Sequence, residues 1–173
     1  ISTSADHNHV WGINPDGNVY YRFGNQAWQL VPTDGAFIDL SVSGDGNIVW
    51  GITWDGNDIY REGGINGSWQ LVPDNTKNWI DISVSADGEH VAGIDEAGAV
   101  WDRKGINNVW KRRSGSLKVV SYTGKGDIGW GVDANDDVWY RGGYLEQWEK
   151  VTGSLKYISV SADGNHVWGV NYK

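Results

Sequence analysis

The sequence predicts an all-β fold, a β-propeller of four-stranded antiparallel blades. Three observations predict it. One segment recurs along the chain at a spacing of about 40 residues, the length of a propeller blade. Each copy divides into four short runs of alternating apolar and polar residues, parted by turns rich in Gly, Asp and Asn. The 173 residues include 25 Gly, 12 Trp and 8 Tyr but no Cys or Met, so tight turns and large rings dominate.

The anchor of the repeat is His-Val-Trp-Gly-Ile-Asn at 9–14. It returns as Ile-Val-Trp-Gly-Ile-Thr at 48–53, His-Val-Ala-Gly-Ile-Asp at 90–95, Ile-Gly-Trp-Gly-Val-Asp at 128–133 and His-Val-Trp-Gly-Val-Asn at 166–171, at offsets of 39, 42, 38 and 38. A serine stands nine residues before each anchor Trp position: Ser2, Ser41, Ser83, Ser121 and Ser159. An arginine stands eleven after it in each full copy: Arg22, Arg61, Arg103 and Arg141. A second tryptophan follows that arginine by six to eight: Trp28, Trp69, Trp110 and Trp148. The spacing slips only beyond the arginine, so the variable length lies in one loop.

Within a copy the four strands are justified in turn. The first is a run such as Ile80-Asp81-Ile82-Ser83-Val84-Ser85, alternating with period two. Ala86-Asp87-Gly88 then makes a hairpin, because Asp and Gly tolerate positive φ. The anchor is the second strand. A turn such as Pro15-Asp16-Gly17 or Trp54-Asp55-Gly56 leads to the third, Val138-Trp139-Tyr140-Arg141 and its equivalents. A Gly-rich loop leads to the fourth, as in Trp28-Gln29-Leu30-Val31-Pro32, and Gly-Ser-Leu-Lys at 115–118 and 153–156 opens the next copy. A lone four-stranded sheet cannot bury both faces, so such units stack around a channel, with the bulky rings filling the wedges between them.

The formal charge of −8 argues against nucleic acid, whose phosphates demand Lys and Arg, and against adsorption to an anionic membrane. No apolar stretch approaches the ~18 residues of a membrane span. With no cysteine there is no disulfide, thiol nucleophile or cysteine metal site. The chain opens at Ile1 without Met or a signal-peptide core, as a processed product or a fragment would. Asn66-Gly67-Ser68 is a single sequon among 14 Asn and carries little weight.

Taken together, the Trp-Gly-Val-Asn anchor, the Asp-Gly turn, the Val-Trp-Tyr-Arg strand and the Gly-Ser-Leu-Lys link resemble the tectonin repeat family, over the whole of residues 1–173. The resemblance implies a closed propeller, often six-bladed, with lectin activity towards bacterial lipopolysaccharide or other surface glycans, frequently in innate defence. It implies an extracellular or secreted setting, with the cytoplasm as the alternative. Two copies depart from the pattern. The third has Ala92 for the anchor Trp and Asp102 for the strand Tyr, and the fourth has Tyr122 and Thr123 in its first strand.

The blade count does not come out whole. Four full copies are followed by one further pair of strands over 158–171, equivalent to residues 1–14 and not complementary to them. Closure as five blades with a reduced last one is favoured; membership of a six-bladed protein and closure through a second chain are the other outcomes.

An enzyme is not expected, and neither a cofactor nor a metal site is. His9, His90 and His166 share one position with Ile48 and Ile128, which reads as packing and not as a general base, and His7 sits in a turn. No Gly-x-Ser-x-Gly elbow or His-Glu-x-x-His is present. Two carboxylates suffice for a glycosidase, but Asp16, Asp45, Asp55, Asp87 and Asp163 fall in turns whose backbone chemistry explains them. Asp133, Asp136 and Asp137 lack the spacing of a known Ca²⁺ loop.

Sugar recognition needs an aromatic plate and fixed polar groups on a rigid frame. The expected sites are grooves between adjacent blades. Their candidate residues are Trp11, Trp50, Trp130 and Trp168, Tyr21, Tyr60 and Tyr140, Arg22, Arg61 and Arg141, with Asn14 and Asp133 at anchor ends. The competing reading of the tryptophans is inter-blade core, and that of the arginines is pairing with a turn Asp of the neighbouring blade. Several weak linked sites would agglutinate cells through avidity. The expected partners are glycans on microbial or cell surfaces; the alternative is a non-catalytic scaffold for protein partners.

Overall fold

The computed structural model describes residues 1–73, 76–143 and 146–171. Four antiparallel meanders follow one another. The first holds β1 (Ser2–Thr3), β2 (His9–Ile13), β3 (Val19–Phe23) and β4 (Gln29–Val31). The second holds β5 (Phe37–Val42), β6 (Ile48–Thr53), β7 (Asp58–Glu62) and β8 (Ser68–Leu71). The third holds β9 (Trp79–Val84), β10 (His90–Asp95), β11 (Ala99–Lys104) and β12 (Lys111–Ser116). The fourth holds β13 (Val119–Tyr122), β14 (Gly129–Val132), β15 (Asp137–Arg141) and β16 (Glu149–Ser154). A fifth sheet has two strands, β17 (Tyr157–Val160) and β18 (Val167–Val170). A 3₁₀ turn, Gly64–Asn66, interrupts the β7–β8 loop.

The turns are built as the sequence anticipates. Ser43 Oγ donates to Asp45 (2.6 Å), Asp45 accepts from the Asn47 N–H (2.9 Å), and Ser43 Oγ accepts from the Ile48 N–H (3.0 Å). The same Ser–Asp device recurs at Ser4–Asp6, Ser85–Asp87 and Ser161–Asp163. Lys125 takes the Asp place in the fourth blade, and Thr123 turns to Asp127 at 3.4 Å. On the opposite rim, Gly17, Gly56 and Gly98 hold φ of 82°, 81° and 79°, and Asp136 fills the equivalent place at 68°. Asp is among the few side chains that tolerate this left-handed region.

The serines nine residues before each anchor stitch the blades together. Ser2, Ser41, Ser83 and Ser121 each accept, through Oγ, the free backbone N–H of the next innermost strand, at Val42 (3.1 Å), Val84 (3.0 Å), Tyr122 (3.0 Å) and Val160 (3.1 Å). Two belts reinforce this ladder. Turn carbonyls at Gly44, Gly124 and Ala162 accept from Ala5, Asp87 and Gly124 on one rim. On the other rim Gly17, Gly56, Gly98 and Asp136 accept from Phe37, Trp79, Leu117 and Leu155. Backbone groups left over by each short sheet are thereby satisfied by its neighbour.

Each wedge is closed by a large side chain lying over a strand-two glycine. Phe37 covers Gly51, Trp79 covers Gly93, Leu117 covers Gly131 and Leu155 covers Gly169. A Cβ on Gly51 would stand 2.5 Å from the buried Phe37 ring. Gly51→Ala should therefore cost about 1–3 kcal/mol by overpacking, read as a lower urea midpoint with unchanged slope.

The favoured five-blade closure is corrected here. Among the described residues there are four complete blades and one two-stranded sheet, and their inner strands contact one another in series, β1 to β5 to β9 to β13 to β17, along an arc. The fifth sheet packs backwards on β13 and β14. Its forward face stays open, with Trp168 75% exposed, and the first blade leaves Ile1 and Trp28 exposed on its outer side. The physical reason is that a sheet buries both faces only where a neighbour's inner strand and fourth-strand tryptophan cover it, and these two faces lack one.

Candidate functional site

The anchor tryptophans of the first two blades do not line open grooves. Trp11 and Trp50 have no exposed surface, and Tyr21 and Tyr60 are buried beside them at ring distances of 5.1 and 5.2 Å. Each indole is capped by the next blade: Trp11 meets Trp69 edge-on at 6.2 Å, and Trp50 meets Trp110 at 6.2 Å. The arginines complete the seal. Arg61 lies over Trp11 (5.7 Å) and Trp69 (5.2 Å), and its Nε and one terminal nitrogen donate to Gly64 and Ile65 carbonyls at 2.7 Å. Arg103 repeats this over Trp50 (5.9 Å) and Trp110 (5.7 Å). Arg61 thus holds the variable loop of its own blade by its carbonyls; Arg103 does the same through Gly105 and Ile106, donates also to the Pro73 carbonyl of the preceding link (3.0 Å), and places its charge near the buried Asp58 carboxylate of the second blade.

The remaining candidates are placed as follows. Burial pushes Tyr60 up to about 12, helped by its bond to Glu62 (3.1 Å), so its hydroxyl stays a donor. Tyr21 shares a hydrogen bond with His9 Nδ1 at 3.0 Å. Trp130 and Tyr140 are half-buried against each other at 5.0 Å. Trp168 stands open at the end of the arc. Arg22 lies over Trp28 at 5.4 Å. Asn14 accepts from the Asp16 (3.2 Å) and Asn18 (2.8 Å) N–H groups, so it caps a turn. Asp133 accepts from Asn135, Asp137 and Trp139 Nε1 at 2.8, 3.0 and 2.9 Å. Burial alone would raise its carboxyl, but these bonds outweigh it and hold the group below the ordinary value. Asp136 and Asp137 are taken by lysines: Lys118 and Lys156 on the first, Lys150 on the second. The wedge groove expected from sequence is therefore filled, and Trp11, Trp50, Tyr21, Tyr60, Arg61 and Arg141 form its packing.

The two departing copies meet in one seam, where they compensate each other. Ala92 and Asp102 vacate the space that Trp and Tyr fill elsewhere, and Tyr122 enters it from the fourth blade where the other copies carry Thr3, Val42, Val84 and Val160. Its hydroxyl donates to Asp102 and meets Arg141. Asp102, 1% exposed, also takes Arg113 Nε at 2.8 Å and Arg141 at 3.4 Å. A carboxylate flanked by two guanidiniums and a phenol is a buried polar network.

An open groove of about 730 Å³ lies at the outer rim of the seam between the first two blades. The link 32–36 forms one wall and the β6–β7 turn the other, tied by the Trp54 N–H bond to the Ala36 carbonyl at 2.7 Å. Phe37, Trp69 and the stem of Arg61 make its floor. Trp54 is 77% exposed, with Asp34, Asp55, Asn57 and Gln70 around the same opening. Asp55 is fixed by bonds from Thr53 Oγ1 (2.5 Å) and Asn57 Nδ2 (2.7 Å). Sequence reasoning read Trp54 only as a turn residue. The available signal was that its siblings in the other complete blades are Pro15, Glu96 and Ala134, so an indole there serves no packing shared by those blades.

No curated protein matches the chain. Many solved chains share its architecture. One is the β-propeller domain of Myceliophteria thermophila Cps50 (Swd1), with a TM-score of 0.72 and 11% identity over 96% of this chain and 64% of that one. At that identity the likeness concerns fold alone, and the chain spans less than two thirds of that propeller. The Tectonin domain model matches residues 1–173, the span over which the linked anchor, turn and strand motifs repeat, and the chain belongs to that family.

Proposed function

We propose that this propeller is a carbohydrate-binding protein and that the Trp54 groove holds the sugar. The observation that carries the reading is an indole with most of its surface in water beside a rigid carboxylate, two amides and a second carboxylate. An aromatic face binds the C–H side of a pyranose, and fixed acceptors bind its hydroxyls. The family and its implied surface-glycan ligands support the same reading. Because Pro15, Glu96 and Ala134 take the equivalent place in the other complete blades, this site belongs to the second blade among those four.

Trp54→Ala should leave the fold intact, since the side chain packs little, and should abolish binding on a glycan array. Retention of binding by a folded Trp54→Ala protein would move the site elsewhere. The scaffold reading has its own support in Tyr157, Trp168 and Val170, exposed together on the last sheet. An array blank for every saccharide, with a protein partner lost on Trp168→Ala, would favour it.

A further inference from the structure

The groove also has a charge preference. Resting on the sugar-binding reading above, we propose that it selects amino sugars bearing a free, protonated amine over N-acetylated and acidic saccharides. Two carboxylates, Asp34 and Asp55, line it, and its single basic lining residue is Arg61. That guanidinium is 5% exposed, stacked between Trp11 and Trp69, with Nε and one terminal nitrogen on the Gly64 and Ile65 carbonyls. It lies in the floor, with two of its nitrogens already held. The opening thus sets two carboxylates against one guanidinium, an excess of negative charge that disfavours phosphate and carboxylate substituents. An ammonium gains twice, from the carboxylates and from the quadrupole of the exposed Trp54 ring. An acetylated amine loses both terms.

The groove is also pre-shaped for this. Thr53 and Asn57 hold the Asp55 carboxylate, and the Trp54–Ala36 backbone bond fixes the arm carrying Asp34 against the turn carrying Trp54 and Asp55. Little ordering remains to be done on binding.

The test is calorimetric titration of the whole chain at pH 5.5 with a β-1,4-glucosamine tetramer, its fully N-acetylated counterpart and a galacturonic acid tetramer. The glucosamine tetramer should bind at least about ten-fold tighter than either, the sum of an exposed charge pair and a cation–π contact. Asp34→Asn, at an exposed link position, should weaken it about five-fold and lower the ratio of its affinity to that of the acetylated tetramer. Added salt should weaken it as well. Equal or better binding of the acetylated or acidic tetramer would overturn the charge preference while leaving the sugar-binding reading standing. Failure of all three, together with a blank glycan array, would remove both.

Discussion

Replacing Asp102 with alanine should destabilise the protein by about 3–5 kcal/mol, a fall of roughly 10 °C in thermal midpoint. Asp102 is the common partner of Arg141, Arg113 and the Tyr122 hydroxyl. Arg141 is 1% exposed and cannot follow a lost partner into water. Its charge would stay enclosed, and that uncompensated charge is the main cost. Arg113 lies nearer the surface and can relax outwards, so Arg113→Ala should cost clearly less. Restoring the sibling tyrosine alone, Asp102→Tyr, should be as harmful as alanine, because Tyr122 already occupies the space. Adding Tyr122→Val and Ala92→Trp should recover part of the loss. Additive effects of these three substitutions would refute the coupling.

Acidification from pH 7.5 to about 5 should stabilise the protein. Asp39 and Asp81 lie on successive inner strands, where Asp39 accepts from the Leu40 (2.8 Å) and Ile82 (3.0 Å) N–H groups and Asp81 from the Val120 N–H (2.7 Å). Burial raises Asp39 to about 6, and burial with the Asp39 charge raises Asp81 well above the ordinary carboxylate range. Burial likewise raises Asp58 to about 6, against the bond from Trp110 Nε1 at 2.9 Å. The folded state then binds more protons than the unfolded chain between the ordinary Asp value of 3.8 and about 6. Stability must rise as pH falls through that window, by on the order of 2 kcal/mol.

The turn carboxylates work in the other direction but lower down. Bonds from Ser4 and Ser161 hold Asp6 and Asp163 at about 2, so their contribution is lost only as pH falls from 3.8 towards that value. Maximum stability should lie near pH 4–5. Urea midpoints of the wild type and of Asp39→Asn/Asp81→Asn at pH 5 and 7.5 check this. The double variant should gain at pH 7.5 and keep only the residual slope from Asp58. A wild type more stable at 7.5 than at 5 would refute the sign.

The blades were legible because their causes are local. Period-two alternation, Asp-Gly turns and the fixed spacing of anchor, serine and arginine need only neighbouring residues, and the strands fall where those signals place them. The serines stood out as a constant without a stated role; their Oγ atoms serve the next blade, beyond any single repeat. The arginines were legible as a position, but the carbonyls they hold belong to the loop of variable length, whose shape only the packed blade defines.

What residues 1–173 determined by themselves is a repeating four-stranded unit, its turns and the family to which it belongs. Tertiary packing decided the rest: that Trp11 and Trp50 are sealed core, that Ala92, Asp102 and Tyr122 form one compensated seam, that the described sheets make an arc, and that Trp54 stays in water beside a groove. The reason is that exposure and the pairing of buried charge depend on what the adjacent blade brings to a wedge, and a repeat read on its own contains only one side of that contact.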